Sequence, residues 1–143
     1  MVPRSIWIMS NVMVVEDNVD FRETLCKALQ KHLPDVSFCE IGNGRRALQM
    51  AGEVSPDIVL MDIVLPFMNG LEVTRNLKAS SNTPWIIIIT GNDLPEYVEA
   101  SQTAGADYFL SKNSIKLSEI THLVQDILAC PDALSPKWDK FRI

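Results

Sequence analysis

The chain has 143 residues, of which 47% are hydrophobic, and a formal net charge of -5. That length fits one domain with a real core. No apolar stretch reaches the roughly 20 residues needed to span a bilayer. The acidic balance argues against a general nucleic-acid binder. Cys26, Cys39 and Cys130 show no CxxC spacing and leave an odd one over. They read as buried thiols in a reducing cytoplasm rather than a disulfide or metal site. His32 and His122 sit far apart on predicted helices and read as surface or packing residues. Residues 1–10 carry one positive charge and too short an apolar core for a signal peptide. Their Val-Pro-Arg-Ser piece is either a tag remnant or a native extension, and it stays outside the fold reasoning.

The β-branched run at 12–15 predicts a first strand, β1, which ends in Glu16-Asp17-Asn18. A helix α1 follows over 19–32, with Phe21, Leu25, Leu29 and Leu33 recurring every fourth residue on one buried face. Asp20 and Glu23 have capping-box spacing, and Asn18 is an equally good cap. Pro34-Asp35 breaks the helix. Strand β2 covers 36–41, Gly42-Asn43-Gly44 turns the chain, and α2 covers 45–54. Pro56-Asp57 then leads into β3 at 58–61, an unbroken apolar run suited to a strand buried on both faces. It stops at Asp62 and leaves through a loop carrying Pro66, Asn69 and Gly70. Helix α3 covers 71–79 and ends at Ser80-Ser81-Asn82. The run Trp85-Ile86-Ile87-Ile88-Ile89 is β4, the strongest strand signal, and it stops at Thr90-Gly91. Helix α4 covers 94–104, with Asp93 as cap, Pro95 in the first turn and Gly105 as its stop. Strand β5 covers 107–110 and ends at Ser111-Lys112. Helix α5 covers 115–129, with Ser114 as cap and Leu117, Ile120, Val124 and Ile127 facing inward. Residues 131–143 read as a tail or the start of a linker.

Five βα repeats without a composition break predict one α/β domain over 11–130. The expected architecture is a doubly wound, flavodoxin-like three-layer sandwich with parallel sheet order 2-1-3-4-5. In that order Glu16, Asp17, Asp62, Thr90 and Lys112 converge at the carboxyl edge of the sheet, where open α/β sheets place their chemistry. Three close carboxylates repel one another, and a hard divalent cation with oxygen ligands, Mg²⁺, is the natural compensation. A metal, an ammonium group, a hydroxyl and a free carboxylate together suit a phosphoryl group.

Four pieces in this order carry a resemblance: V-V-E-D-N at 14–18, D-I-V-L-M-D-I-V-L-P-F-M-N-G at 57–70, I-I-I-T-G at 87–91 and A-G-A-D-Y-F-L-S-K at 104–112. From residue 11 to about 129 the chain resembles the receiver domain of two-component response regulators (CheY-like). The resemblance implies roles position by position. Asp62 matches the phosphoacceptor that takes a phosphoryl group from the phosphohistidine of a sensor histidine kinase. Asp17 matches the direct metal ligand, Glu16 the acid that holds the metal through water, and the backbone carbonyl of Val64 the third protein ligand. Lys112 matches the lysine that pairs with the phosphoryl group, Thr90 the hydroxyl that moves to it, and Phe109 the aromatic switch. Burial alone would also explain Phe109. The implied readout is the α4-β5-α5 face, acting on an output domain or partner or through a homodimer. The implied setting is cytoplasmic, with no membrane and no direct nucleic-acid contact by this chain.

Two positions depart from the family pattern. Asn113 stands where proline often follows the lysine, so the Lys112–Asn113 bond is either trans or a costly cis bond, a form worth roughly 3 kcal/mol without proline. The segment G-A-D-Y-F-L-S-K-N-S resembles the branch attached to NarL/LuxR-type DNA-binding output domains, which often lacks that proline. Val64, two residues after Asp62, is apolar and cannot orient an attacking water, which implies slow loss of the phosphoryl group. Phe109 has no hydroxyl to hold it outward, which implies a common inward rotamer. Other classes on this fold fit less well. A flavin carrier wants a phosphate-cradling loop after β1, where Glu16-Asp17 would repel phosphate. An aspartate-based phosphatase wants a second acid at the position of Val64. A binding module that signals without phosphate would not need the full residue set.

Overall fold

The computed structural model describes residues 10–129. The expectations for residues 1–9 and for the segment from 130 onward lie outside them. Five strands, β1 (Asn11–Val15), β2 (Ser37–Ile41), β3 (Ile58–Met61), β4 (Trp85–Thr90) and β5 (Tyr108–Ser111), alternate with α1 (Val19–His32), α2 (Gly44–Val54), α3 (Gly70–Lys78), α4 (Pro95–Ala104) and α5 (Leu117–Ala129). The sheet is parallel in the order β2-β1-β3-β4-β5. This is the doubly wound order expected from the βα alternation. The Lys112–Asn113 peptide is trans, since no described peptide bond is cis.

The strands are apolar on both faces because helices cover both. On one face Val12, Val14, Ile58, Leu60, Ile87 and Leu110 pack against Leu25, Leu29, Ile120 and Val124 of α1 and α5. On the other, Met13, Val15, Val59, Met61, Ile86 and Ile88 pack against α2, α3 and α4 through Ala47, Val73, Leu77 and Val98. Successive strand residues alternate between the two clusters, as the period of two demands. Each fully buried aliphatic side chain contributes about 1.5–3 kcal/mol.

Caps fix the helix starts. Asn18, Asn43 and Asn69 each accept a backbone N–H from three residues on: Phe21, Arg46 and Glu72. Asn18, rather than Asp20, therefore caps α1. Gly105 ends α4 in the left-handed conformation, φ 102°. Two expected caps are corrected. Asp93 does not cap α4; Leu94 occupies that position without a side-chain bond, and Pro95 opens the helix. The Asp93 carboxylate instead accepts from Ser111 Oγ at 2.6 Å and Asn113 Nδ2 at 2.8 Å. Nor does Ser114 cap α5. The N–H groups of Ser114 and Ile115 donate to the Ser111 carbonyl, so a turn fills this stretch. Helix α5 begins two residues late at Leu117, with the Lys116 N–H donating to Glu119 Oε1. That is half of a capping box.

The sheet ladder runs past the strand ends and aligns the edge. Asp62 N donates to Val15 O at 3.1 Å, Glu16 N to Ile41 O at 2.9 Å and Lys112 N to Thr90 O at 2.9 Å. Gly70 seats α3 against this edge. A Cβ there would stand 1.9 Å from the Asp62 carbonyl oxygen, whereas one at Gly52 in α2 meets nothing within 4 Å. Gly70→Ala is expected to cost about 1–3 kcal/mol in urea unfolding, since backbone must move. Gly52→Ala, at an open mid-helix position, should add about 0.5–1 kcal/mol in the same measurement.

Candidate functional site

Two strand ends, those of β1 and β3, bring three acids together. Carboxylate oxygens of Glu16, Asp17 and Asp62 lie within 4.8 Å of one another. Glu16 and Asp62 are only 3% and 8% exposed, while Asp17 faces solvent. Lys112, at the end of β5, reaches across the edge to this group. Its ammonium bonds Asp62 Oδ2 at 3.0 Å and Glu16 Oε1 at 2.5 Å. The other Asp62 oxygen, Oδ1, accepts the Ile63 N–H at 2.7 Å. Both Asp62 oxygens are thus oriented by fixed donors. Glu16 Oε2 accepts the Asn18 N–H at 3.1 Å.

Burial pushes the Glu16 carboxyl up, against the opposing pull of its bonds from Lys112 and Asn18. Burial alone would lower Lys112, but its bonds to Glu16 and Asp62 outweigh that and raise it, keeping the ammonium charged. The ammonium thus partly balances an edge crowded with acids. An all-oxygen donor set, part buried and part open to solvent, fits a hard cation that keeps several waters, as Mg²⁺ does. Glu16, Asp17 and Asp62 would hold it, with the neighbouring Val64 carbonyl as the fourth candidate. The Val64 side chain is exposed.

Thr90 and Phe109 sit differently. Thr90 is buried at the end of β4, and its hydroxyl accepts the Asn92 N–H at 3.2 Å. Its side chain therefore bonds its own loop, while its backbone carbonyl pairs with Lys112. Phe109 is fully buried within the cluster that includes Met61, Ile88, Val98 and Ala106.

Several contacts lie between residues too distant in sequence to pair by pattern. The β4–α4 and β5–α5 loops are tied by Asp93, Ser111 and Asn113, with Asn113 Nδ2 also donating to Gly91 O at 3.1 Å. Arg22 donates from Nη1 to the Glu16 carbonyl at 2.7 Å and from Nε to Glu40 at 3.3 Å. The Lys112 ammonium lies 4.6 Å from the centroid of the Phe21 ring. His32 and His122, distant in sequence, meet edge to face at 5.3 Å, away from this edge. The exposed large hydrophobics among the described residues are Val19, Val64, Phe67 and Leu94. All four sit at the carboxyl edge of the sheet, in loops or the first residue of α1. Phe67 is 77% exposed, holds φ 70°, and lies 5.8 Å under Arg45. A bulky residue in that backbone region is uncommon.

Known proteins resemble this chain in sequence and fold. Residues 12–125 match the response regulator receiver domain family. The transcriptional regulatory protein YdfI of Bacillus subtilis is 33% identical over 106 residues, 74% of this chain and 50% of that protein. The chain thus spans about half the length of that curated relative. The signal receiver domain of the response regulator NarL from Mycobacterium tuberculosis superposes with a TM-score of 0.75 at 28% identity, covering 83% of this chain and 95% of that one. A LuxR-family two-component response regulator from Aurantimonas superposes with a TM-score of 0.77 at 27% identity, over 92% and 93% of the two chains. With its sheet order, its acid cluster and a family match across nearly all of the described residues, the chain belongs to the receiver domains of two-component response regulators.

Proposed function

We propose that Asp62 accepts a phosphoryl group from the phosphohistidine of a sensor histidine kinase, in a magnesium-dependent reaction in the cytoplasm. The observation that carries this reading is the Asp62 carboxylate itself. It is buried, held by Lys112 and the Ile63 N–H, and flanked by Glu16 and Asp17. In the transfer one Asp62 oxygen forms a bond to phosphorus. The bond from phosphorus to the imidazole nitrogen breaks, and its electron pair stays on that nitrogen. The Ile63 N–H keeps Oδ1 in place, and Lys112 remains in reach of the incoming oxygens. Magnesium, when bound, supplies further positive charge to those oxygens. The apolar rim of Val19, Val64, Phe67 and Leu94 would meet the protein that brings the phosphohistidine.

The aspartyl phosphate then acts as a switch. It brings nearly two negative charges and strong acceptor oxygens. Thr90 would give up its loop bond to Asn92 and turn to the phosphoryl group, and Phe109 behind it would respond. Reversing a 1:99 ratio of two states takes about 5.5 kcal/mol. Two bonds to a charged group, from Thr90 and Lys112, at about 1.5–3 kcal/mol each, would supply much of it. The α4-β5-α5 face would carry the change to an output domain or a partner, or into a homodimer. Regulation of transcription is supported by the similarity to the transcriptional regulatory protein YdfI.

Incubation with acetyl phosphate and magnesium should add one phosphoryl group by intact mass. Asp62→Asn should remove the labelling, and wild type that stays unlabelled would refute the reading. The attached group should persist for minutes or longer, because exposed Val64 offers no polar atom to orient water. Val64→Asn should hydrolyse several-fold faster in a decay followed by mass or phosphate release. Equal decay in the two proteins would remove that explanation.

A further inference from the structure

We propose that Phe21 is a positioning residue for Lys112, a neutral partner that keeps the ammonium at the site when the acids are otherwise engaged. The inference deepens the phosphoacceptor reading and rests on it for its role in transfer. Its starting point is one contact, the Lys112 ammonium 4.6 Å from the Phe21 ring centroid. The ring face attracts a cation through its quadrupole. Unlike Glu16 and Asp62, the ring has no affinity for a metal ion.

That difference matters because the Lys112 ammonium bonds the two buried members of the acid cluster. The same two carboxylates are among the three that would hold a divalent cation. When it does, Lys112 loses ion-pair strength at the moment it must meet phosphoryl oxygens. The ring contact is not subject to that competition.

Local structure fixes the ring in place. Glu16 Oε1 bonds Lys112, and Glu16 Oε2 accepts the Asn18 N–H. Asn18 Oδ1 accepts the Phe21 N–H at 3.0 Å, and the Phe21 ring returns to Lys112. The circuit joins the end of β1, the cap of α1 and the end of β5. Core packing accounts for only part of the ring's surface. Leu25 and Leu29, further along the same stripe, are fully buried, whereas Phe21 packs against the same core and is only partly buried. Phe21 also lines a void of about 10 Å³ together with Glu16 and Asp62.

Two variants separate positioning from packing. Phe21→Leu keeps an apolar side chain without the quadrupole, and Phe21→Tyr keeps the ring. In metal-free protein, the Lys112 side-chain methylene protons next to nitrogen should be shifted upfield by the ring in NMR spectra. Phe21→Leu should abolish that shift, and Phe21→Tyr should retain it. With saturating magnesium and phosphoramidate as donor, Phe21→Leu should slow labelling about three- to tenfold. Phe21→Tyr should stay within about twofold of wild type. In a Lys112→Ala background, Phe21→Leu should have no further effect. Absence of the upfield shift in wild type would overturn the proposal. So would Phe21→Leu and Lys112→Ala defects that multiply, since packing and not the amine would then be responsible. If wild type took no phosphoryl group at all, the phosphoacceptor reading would fall, and the resonance shifts would still decide whether Phe21 holds Lys112.

Discussion

Like charges crowd the carboxyl edge of the sheet, and the rest of the structure can be understood as serving that crowding. Glu16 and Asp62 are buried there beside Asp17 because parallel strands in the order β2-β1-β3-β4-β5 must end side by side. Burial raises the cost of every uncompensated carboxylate. The chain offsets that cost with one amine, delivered by β5 across the sheet, and with backbone N–H groups aimed at the oxygens. On the proposed reading, a cluster so balanced would accept one more cation and, with it, an incoming anion.

The same edge holds the parts that would transmit a change. Thr90 lies one residue from the loop that Asp93, Ser111 and Asn113 tie to the end of β5. Its hydroxyl is bonded locally, so its turn toward a phosphoryl group would strain that loop directly. Lys112 belongs to both halves: its backbone is paired with the Thr90 carbonyl, and its ammonium bonds the acids. Among the described residues, the exposed large apolar side chains gather around this edge as well, where, on the proposed reading, a protein donor would approach. The proposed chemistry, transmission and contact would therefore lie within a few residues of one another.

Much of this was legible in the sequence because buried parallel strands are short apolar runs that end abruptly. Ile58 to Met61 stops at Asp62, and Trp85 to Ile89 stops at Thr90, so strand ends name their own site residues. Order along the sheet followed from the handedness of crossovers. Pairings decided by contacts distant in sequence were not legible. Asp93 looks like a cap because capping is local, yet Ser111 and Asn113, 18 and 20 residues on, win its carboxylate. Ser114 looks like a cap for the same reason, but a turn on Ser111 uses its backbone first. The Phe21 ring fitted a helix stripe, and nothing in a period of four says that its end lies over an ammonium. Thr90 ends β4 at this edge, as the strand pattern predicts, and its bond from the Asn92 N–H is local detail that the pattern does not carry.

If one amine and one hard cation together balance the edge, the protein must take up magnesium through these acids. Isothermal titration of magnesium chloride into the phosphate-free protein measures this directly. Saturable one-site uptake by wild type, lost in Asp17→Asn while the fold persists, is the predicted result. No uptake by wild type, or equal uptake by both proteins, would contradict it.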